Sequence, residues 1–252
     1  MPTAALYDIH GNLPALEAVL DELRRERVDQ IVIGGDVLPG PMPLECLDLL
    51  TQSKVPTHFI MGNGDREVLA RMRGVETEWY KTARPEWREP IDWTAQQLLP
   101  EHEQLIAAWP ATLSLPIDGL GDVLFCHATP RNDTDIFTRL TSEEHLAPIF
   151  ADVKEELVVC GHTHLQFDRT VGKTRVVNAG SVGMPFGRTA ADWLLLGPGV
   201  DLRHTDYDLQ SSAERIRQTH YPHVEQFVQS YVLSVPSEEQ MLQAYSRAEL
   251  KE

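Results

Sequence analysis

Five short motifs in this chain set carboxylates, an amide and imidazoles at spacings suited to holding cations. Asp8-Ile9-His10-Gly11-Asn12 puts a carboxylate and an imidazole two residues apart. At a strand end, residues i and i+2 project to the same side, so Asp8 and His10 can reach one ion while Gly11 permits a tight turn away. Gly34-Gly35-Asp36 closes a second apolar run, where a carboxylate is costly to bury unless it is paired or bound to a cation. Its two oxygens suit Asp36 to a place between two ions. Asn63, in Gly62-Asn63-Gly64-Asp65, offers a neutral amide oxygen, and His127 ends the run Phe125-Cys126-His127. Gly161-His162-Thr163-His164 presents two imidazoles from one turn. Imidazole mixed with carboxylate suits Mn, Fe, Zn or Ni better than Ca or Mg. Taken singly, each motif has an ordinary explanation: a helix cap for Asp36, a turn for Gly62–Asp65, a satisfied strand-end histidine for His127.

The elements that must position these groups can be read from periodicity. Segments 3–7, 29–34 and 55–61 read as strands, separated by amphipathic helices at 14–26 and 43–52 and followed by a short helix at 65–72. That order predicts a parallel sheet with right-handed crossovers. In open α/β sheets, ligands bind beyond the carboxyl ends of the strands. Three of the motifs follow these strands and so fall on one edge. Residues 75–110 break the rhythm with a Pro-interrupted helical stretch holding Trp79, Trp87, Trp93 and Trp109. This stretch is expected to be an inserted helical cap that sets the substrate, its tryptophans packing it onto the core or, alternatively, stacking on the substrate. Strand-like runs return at 112–117, 121–126, 156–160, 165–171, 174–178, 192–197 and 200–207, with a helix near 141–151. They predict a second sheet facing the first, mostly antiparallel in its later part. Helical segments near 211–219, 222–233 and 237–250 make a C-terminal element over 211–252, either docked on the core or available as a dimer contact. The whole chain, 1–252, is expected to form a single domain.

Composition narrows the partners. The 252 residues carry a formal net charge of −16, which argues against sequence-independent binding to nucleic acid or an anionic membrane. Bound divalent cations can still reverse the field inside a cleft. Cys46, Cys126 and Cys160 are too few and too scattered for a disulfide framework; Cys126 and Cys160 lie in apolar runs and read as buried strand residues. No basic region followed by an apolar stretch opens the chain, and no apolar run approaches the roughly 20 residues that span a bilayer. A soluble, cytoplasmic protein is expected.

Together and in this order, D-x-H, G-D, G-N-x-D, H and G-H-x-H resemble the signature of the calcineurin-like metallophosphoesterases. The resemblance covers roughly residues 1–208 and is closest to the compact bacterial and archaeal phosphodiesterase-like branch. It implies an α/β (α+β) four-layer α-β-β-α sandwich of two facing mixed sheets. It also implies two divalent transition-metal ions: Asp8, His10 and His164 on one, Asn63, His127 and His162 on the other, Asp36 bridging. The implied reaction is in-line attack by a metal-bound hydroxide on a small phosphate ester such as a nucleotide, most naturally a phosphodiester. The alternatives are a phosphomonoesterase or protein phosphatase of the same fold, or a metal-stabilised scaffold whose chemistry has lapsed. Residues 176–185 resemble the family's N-P-G-S-V-G segment, which sets Asn178, Gly180 and Ser181 beside the site. Asn12, Arg66 and Ser181 are expected to touch the substrate, with Arg131 and Arg188 as looser candidates. Many members carry histidine where this chain has Gly64, placed there to stabilise the transition state or protonate the leaving oxygen. Asp65 is retained although the histidine it would orient is missing, and His58 is a poor substitute. A homo-oligomer is compatible with the sequence.

Overall fold

Residues 2–248 are described by the computed structural model; the last residues of the expected C-terminal element, 249–252, lie outside them. The chain opens with β1 (Thr3–Leu6), α1 (Leu13–Glu26), β2 (Gln30–Ile33), α2 (Pro43–Thr51), β3 (Thr57–Phe59) and α3 (Asn63–Met72). Asn12 caps α1 by accepting a hydrogen bond from Ala15 N at 3.3 Å, satisfying one of the free donors of the first turn. Helical spacing of Leu13, Leu16, Val19, Leu20 and Leu23 gives α1 a buried face. Three further helices follow, α4 (Glu78–Thr82), α5 (Pro85–Gln97) and α6 (Pro100–Ala107), within the stretch expected to form the cap. The next part runs β4 (Thr112–Ile117), β5 (Gly121–Cys126), α7 (Glu143–Phe150), β6 (Leu157–Cys160), β7 (Phe167–Val171), β8 (Thr174–Asn178), β9 (Ala191–Leu196) and β10 (Val200–Thr205). The chain then continues through α8 (Leu209–Arg217), α9 (Val224–Phe227), a π-helical stretch Val228–Leu233 and α10 (Glu238–Tyr245).

Two five-stranded mixed sheets result, ordered β10-β9-β1-β2-β3 and β4-β5-β6-β8-β7. Alternation along the strands assigns each face. Ala4 and Leu6 of β1 with Ile31 and Ile33 of β2 pack towards α1 and α2, in one apolar cluster. Ala5 and Val32, one residue out of phase, face the other sheet and meet Val123, Phe125, Val159 and Val177. On the far side of the second sheet, Cys126, Val158, Cys160 and Val176 pack with Leu146 and Phe150 of α7. Helices thus cover both outer faces, and the four-layer α-β-β-α arrangement expected from the motifs is present. All three cysteines are buried and free. Among the described residues, no helix is long and apolar enough to cross a membrane.

One strand assignment needs correction. Segments 192–197 and 200–207 were expected in the second sheet, yet β9 pairs antiparallel with β1, and β10 pairs with β9. Both faces of β9 are apolar: Ala191 and Trp193 join the helix side, while Leu194 and Leu196 join the sheet–sheet interface. Such a strand belongs at a sheet's interior, and β1 offered the open edge. Within the second sheet β5, β6 and β8 run parallel, and the late strand β7 pairs antiparallel with β8.

The stretch after α3 does pack on it. Arg71 of α3 reaches Asp92 of α5 at 2.8 Å, and Arg73 meets Glu103 of α6 at 2.8 Å. Trp109 stacks on Phe59 with ring centroids 5.0 Å apart, and Trp93 meets Tyr221 edge-on at 5.4 Å. Trp79 and Trp87 depart from the expected packing role, being 44% and 47% exposed.

Candidate metal centre

β1, β2 and β3 run parallel, as do β5, β6 and β8. The loops leaving their carboxyl ends converge, which brings the five motifs together. Backbone conformation marks the convergence. Seven described non-glycine residues have positive φ in the left-handed region, and Asp8, His10, Asp36, His162 and His164 are five of them. That conformation is uncommon for such residues and persists only where the surroundings over-determine it, typically at functional sites.

Each carboxylate divides its oxygens between backbone and centre. Asp8 Oδ2 accepts from His162 N at 2.9 Å. Its Oδ1 is buried with no hydrogen-bond partner, 3.3 Å from His164 Nε2, 3.8 Å from His127 Nε2 and 3.9 Å from His10 Nε2. Asp36 Oδ1 accepts from Gly64 N at 2.7 Å, and its Oδ2 lies 3.6 Å from His127 Nε2 and 3.8 Å from His10 Nε2. Asp36 therefore stands between histidines from opposite sides of the cluster. One terminal atom of the Asn63 amide sits 2.8 Å from His162 Nδ1 and 3.0 Å from His127 Nε2. If that atom is the oxygen, three lone pairs meet where a cation would satisfy them; if it is the nitrogen, the amide donates to both rings.

Backbone carbonyls fix two of the imidazoles. His127 Nδ1 is 2.9 Å from Gly34 O, and His164 Nδ1 is 2.8 Å from Met184 O. A carbonyl can only accept, so each Nδ1 carries the proton and each Nε2 turns its lone pair inward. Burial, followed by the neighbouring His164, pushes His10 down to about 3. Burial and then His127 do the same for His162, also to about 3. Both rings are neutral near pH 7, as a metal ligand must be. For Asp8, burial works upward, while protonation of the facing His164, His127 or His10 would hold the carboxyl below its usual range. Burial, then the charge of Asp8, pushes Asp36 up.

Asp65 accepts from Asp36 N at 2.7 Å, Leu38 N at 3.0 Å and Gly62 N at 3.1 Å. With no histidine at position 64 to orient, it ties the loop after β2 to the start of α3. A Cβ on Gly64 would lie 2.4 Å from Leu38 O and 2.9 Å from Pro39 Cδ. The missing family histidine thus has no room in this backbone. Gly161 is similarly enforced, since a Cβ there would meet Asp8 Oδ2 at 2.5 Å.

The three residues expected to touch substrate are engaged elsewhere. Asn12 is buried, capping α1 and donating to Gly183 O at 2.9 Å. Ser181 is buried; its hydroxyl donates to Asp8 O at 2.7 Å and accepts from Met184 N at 2.8 Å. Both sit behind the centre and brace it. Arg66 forms a two-pronged pair with Asp133 at 2.7 and 3.2 Å and also reaches Glu67 at 2.7 Å. Of the looser candidates, Arg131 pairs with Asp135 at 2.6 Å and Arg188 lies 3.1 Å from His204 Nδ1. Asn178 donates to Gly161 O at 2.6 Å, supporting the turn that carries His162 and His164.

Sequence reasoning offered the cap tryptophans as candidate substrate contacts but missed the wall that the C-terminal element adds. His10, Asp36, Asn63 and Gly64 are among the residues lining a cavity of about 190 Å³ that is also walled by Trp79, Trp87 and aromatic residues of the C-terminal element. The placement of Trp79 and Trp87 in a Pro-interrupted, otherwise polar stretch was the signal for the cap's part.

The donor set suits a metal. A buried, unpartnered carboxylate oxygen facing imidazole nitrogens is costly alone and satisfied by a cation. Two groups of donors lie close enough to hold one, Asp8 with His10 and His164, and Asp8 with Asp36 and His127. Their mixture of nitrogen and oxygen fits Mn, Fe, Zn or Ni.

Residues 1–196 match the family model for the calcineurin-like phosphoesterase superfamily domain, and the chain belongs to that superfamily of metal-dependent phosphoesterases. An uncharacterized protein of Methanocaldococcus jannaschii is 25% identical over 242 residues, covering 87% of this chain and 93% of that one. A metallophosphoesterase from Sphaerobacter thermophilus aligns with a TM-score of 0.67 at 26% identity, over 90% of this chain and 96% of that one. A hypothetical protein of Pyrococcus horikoshii shares the fold, with a TM-score of 0.76 at 21% identity over 93% and 99% of the two chains.

Proposed function

We propose that this chain hydrolyses phosphodiesters of small molecules at a centre of two divalent transition-metal ions. In this reading Asp8, His10 and His164 hold one ion, Asn63, His127 and His162 the other, and Asp36 lies between them. The observation that carries it is Asp8 Oδ1, buried and unpartnered among three imidazole nitrogens. Divalent cations held there supply Lewis acidity and a nucleophile from water near neutral pH. The protein's own contribution is positioning. Gly34 O and Met184 O lock two imidazoles, backbone N–H groups hold one oxygen of each carboxylate, and Asp65 fixes the loop carrying Asp36.

The preference for diesters follows the resemblance to the phosphodiesterase-like branch, in which small residues occur at the position of Gly64. With Leu38 O occupying the space a side chain would need, no histidine at this position can protonate a leaving oxygen. Esters whose leaving group departs without that proton are favoured. The site's manganese, iron, zinc or nickel would be taken from a cytoplasmic pool.

Hydrolysis of bis-p-nitrophenyl phosphate and p-nitrophenyl phosphate should be compared with Mn²⁺, Ni²⁺, Zn²⁺ and no added metal. Metal-dependent turnover with diester preferred is expected. A monoester preference would reverse the specificity proposed, and no turnover in protein shown to carry two ions would refute the enzyme reading.

A further inference from the structure

The cavity above the centre has a composition that bears on the substrate's organic part. Its floor is His10, Asp36, Asn63 and Gly64, so anything whose phosphate meets the ions must place its remainder in this space. One wall comes from α4 and α5, with Trp79 and Trp87; the other comes from the C-terminal element, with Tyr221, Phe227 and Tyr231. The rings on the second side form a continuous train. His164 stacks on Phe186 at 5.4 Å, Phe186 lies 6.5 Å from Tyr231, and Tyr231 lies 5.5 Å from Phe227. The two walls are tied together by His223 Nε2 and Glu89 Oε2 of α5, 2.9 Å apart.

Two features limit what fits. No lysine or arginine occurs among the described lining residues, whereas Asp36 and Glu86 do. A second phosphate or a carboxylate away from the ions would therefore meet aromatic faces and acidic groups with no lysine or arginine to receive it. The volume of about 190 Å³ is comparable to the roughly 150 Å³ cavity that admits a benzene ring in another protein. Trp79 and Trp87 keep 44% and 47% of their surface exposed, an arrangement costly for packing and suited to a partner that covers them.

Building on the phosphoesterase reading above, we propose that this pocket selects phosphate esters carrying one uncharged aromatic ring system and no charged group besides the phosphate. The ring stacks between the tryptophans of the cap and the tyrosine–phenylalanine train opposite. Nucleoside polyphosphates and sugar polyphosphates are poor ligands for the same reason.

Non-hydrolysable phosphonates separate this proposal from turnover. Calorimetric titration of the Mn²⁺-loaded protein with phenylphosphonate and methylphosphonate, at a pH where both are dianions, measures the ring's contribution directly. Stacking of one ring is worth about 1–3 kcal/mol, so phenylphosphonate is expected to bind roughly 5- to 150-fold tighter. Replacing both tryptophans (Trp79→Ala with Trp87→Ala) should remove most of that ratio and leave methylphosphonate affinity in place. Because both side chains are half-exposed, the double variant should melt with the wild type, which a thermal scan verifies. Equal affinities in the wild type, or an unchanged ratio in the double variant, overturn the pocket proposal alone. If neither phosphonate binds a protein that hydrolyses bis-p-nitrophenyl phosphate, the pocket proposal falls alone; if the metal-loaded protein binds neither phosphonate and hydrolyses neither p-nitrophenyl ester, the phosphoesterase reading falls with it.

Discussion

Asp8 and Asp36 each give one oxygen to a backbone N–H and turn the other towards the imidazoles. That division makes Asp36→Asn informative, since the amide keeps the shape and loses the charge between the two sets of histidines. The variant is expected to lose metal and at least ~10–100-fold in activity, the range seen when groups supporting a metal are removed. Elemental analysis with initial rates checks both; wild-type values for the two would remove Asp36 from the centre. Position 64 makes the opposite point. Restoring the family's histidine (Gly64→His) is expected to fail to create monoesterase activity, because its Cβ would lie 2.4 Å from Leu38 O. Overpacking of this kind costs about 1–3 kcal/mol, measurable as a lower denaturant midpoint. A more active and equally stable variant would show that the loop yields.

β9 shows how an element's position can set a titration. Its central place buries Asp192, whose Oδ1 has no hydrogen-bond partner, and burial raises the carboxyl from 3.8 to about 7. Between those two values the folded state keeps a proton that the unfolded chain has lost. Asp192 therefore lowers stability as pH rises, by about 1.4 kcal/mol per unit, and the loss is complete above about 7. Asp192→Asn should match the wild type near pH 4 and exceed it at pH 8 in urea denaturation. A stability difference that does not change with pH would contradict the assignment. The placement of β9 was also what the sequence could not supply. Its apolar run announces a buried strand, but the edge it joins depends on β1, more than 180 residues earlier in the chain. The candidate metal-ligand motifs could be picked out for the converse reason: each is a short run at a strand's end, so local spacing carries the donor pattern. Asn12 and Ser181 were harder to read, because the residue types that bind phosphate also cap helices and brace turns, as these two do here. Which use wins is decided by Gly183 and Asp8, contacts distant in sequence.

At the scale of the whole molecule, charge works against the chemistry. The formal net charge is −16, from 38 acidic and 22 basic side chains, and an anionic ester approaching from beyond about 10 Å feels that total. Salt screens the repulsion before it weakens the short contacts at the ions. The rate constant kcat/KM for an anionic diester is therefore expected to rise, roughly twofold or more, between low and physiological ionic strength. A fall over that range would mean that a local positive potential governs approach. The tie between His223 and Glu89 has a further consequence. The side chains proposed as ligands stand at or just beyond strand ends, while the rings above them come from two distant parts of the chain. Chemistry and selectivity are thus written in separate passages of the sequence. Drift in one can redraw the clientele of the centre and leave the reaction intact, so relatives sharing all seven proposed ligands need not share a substrate.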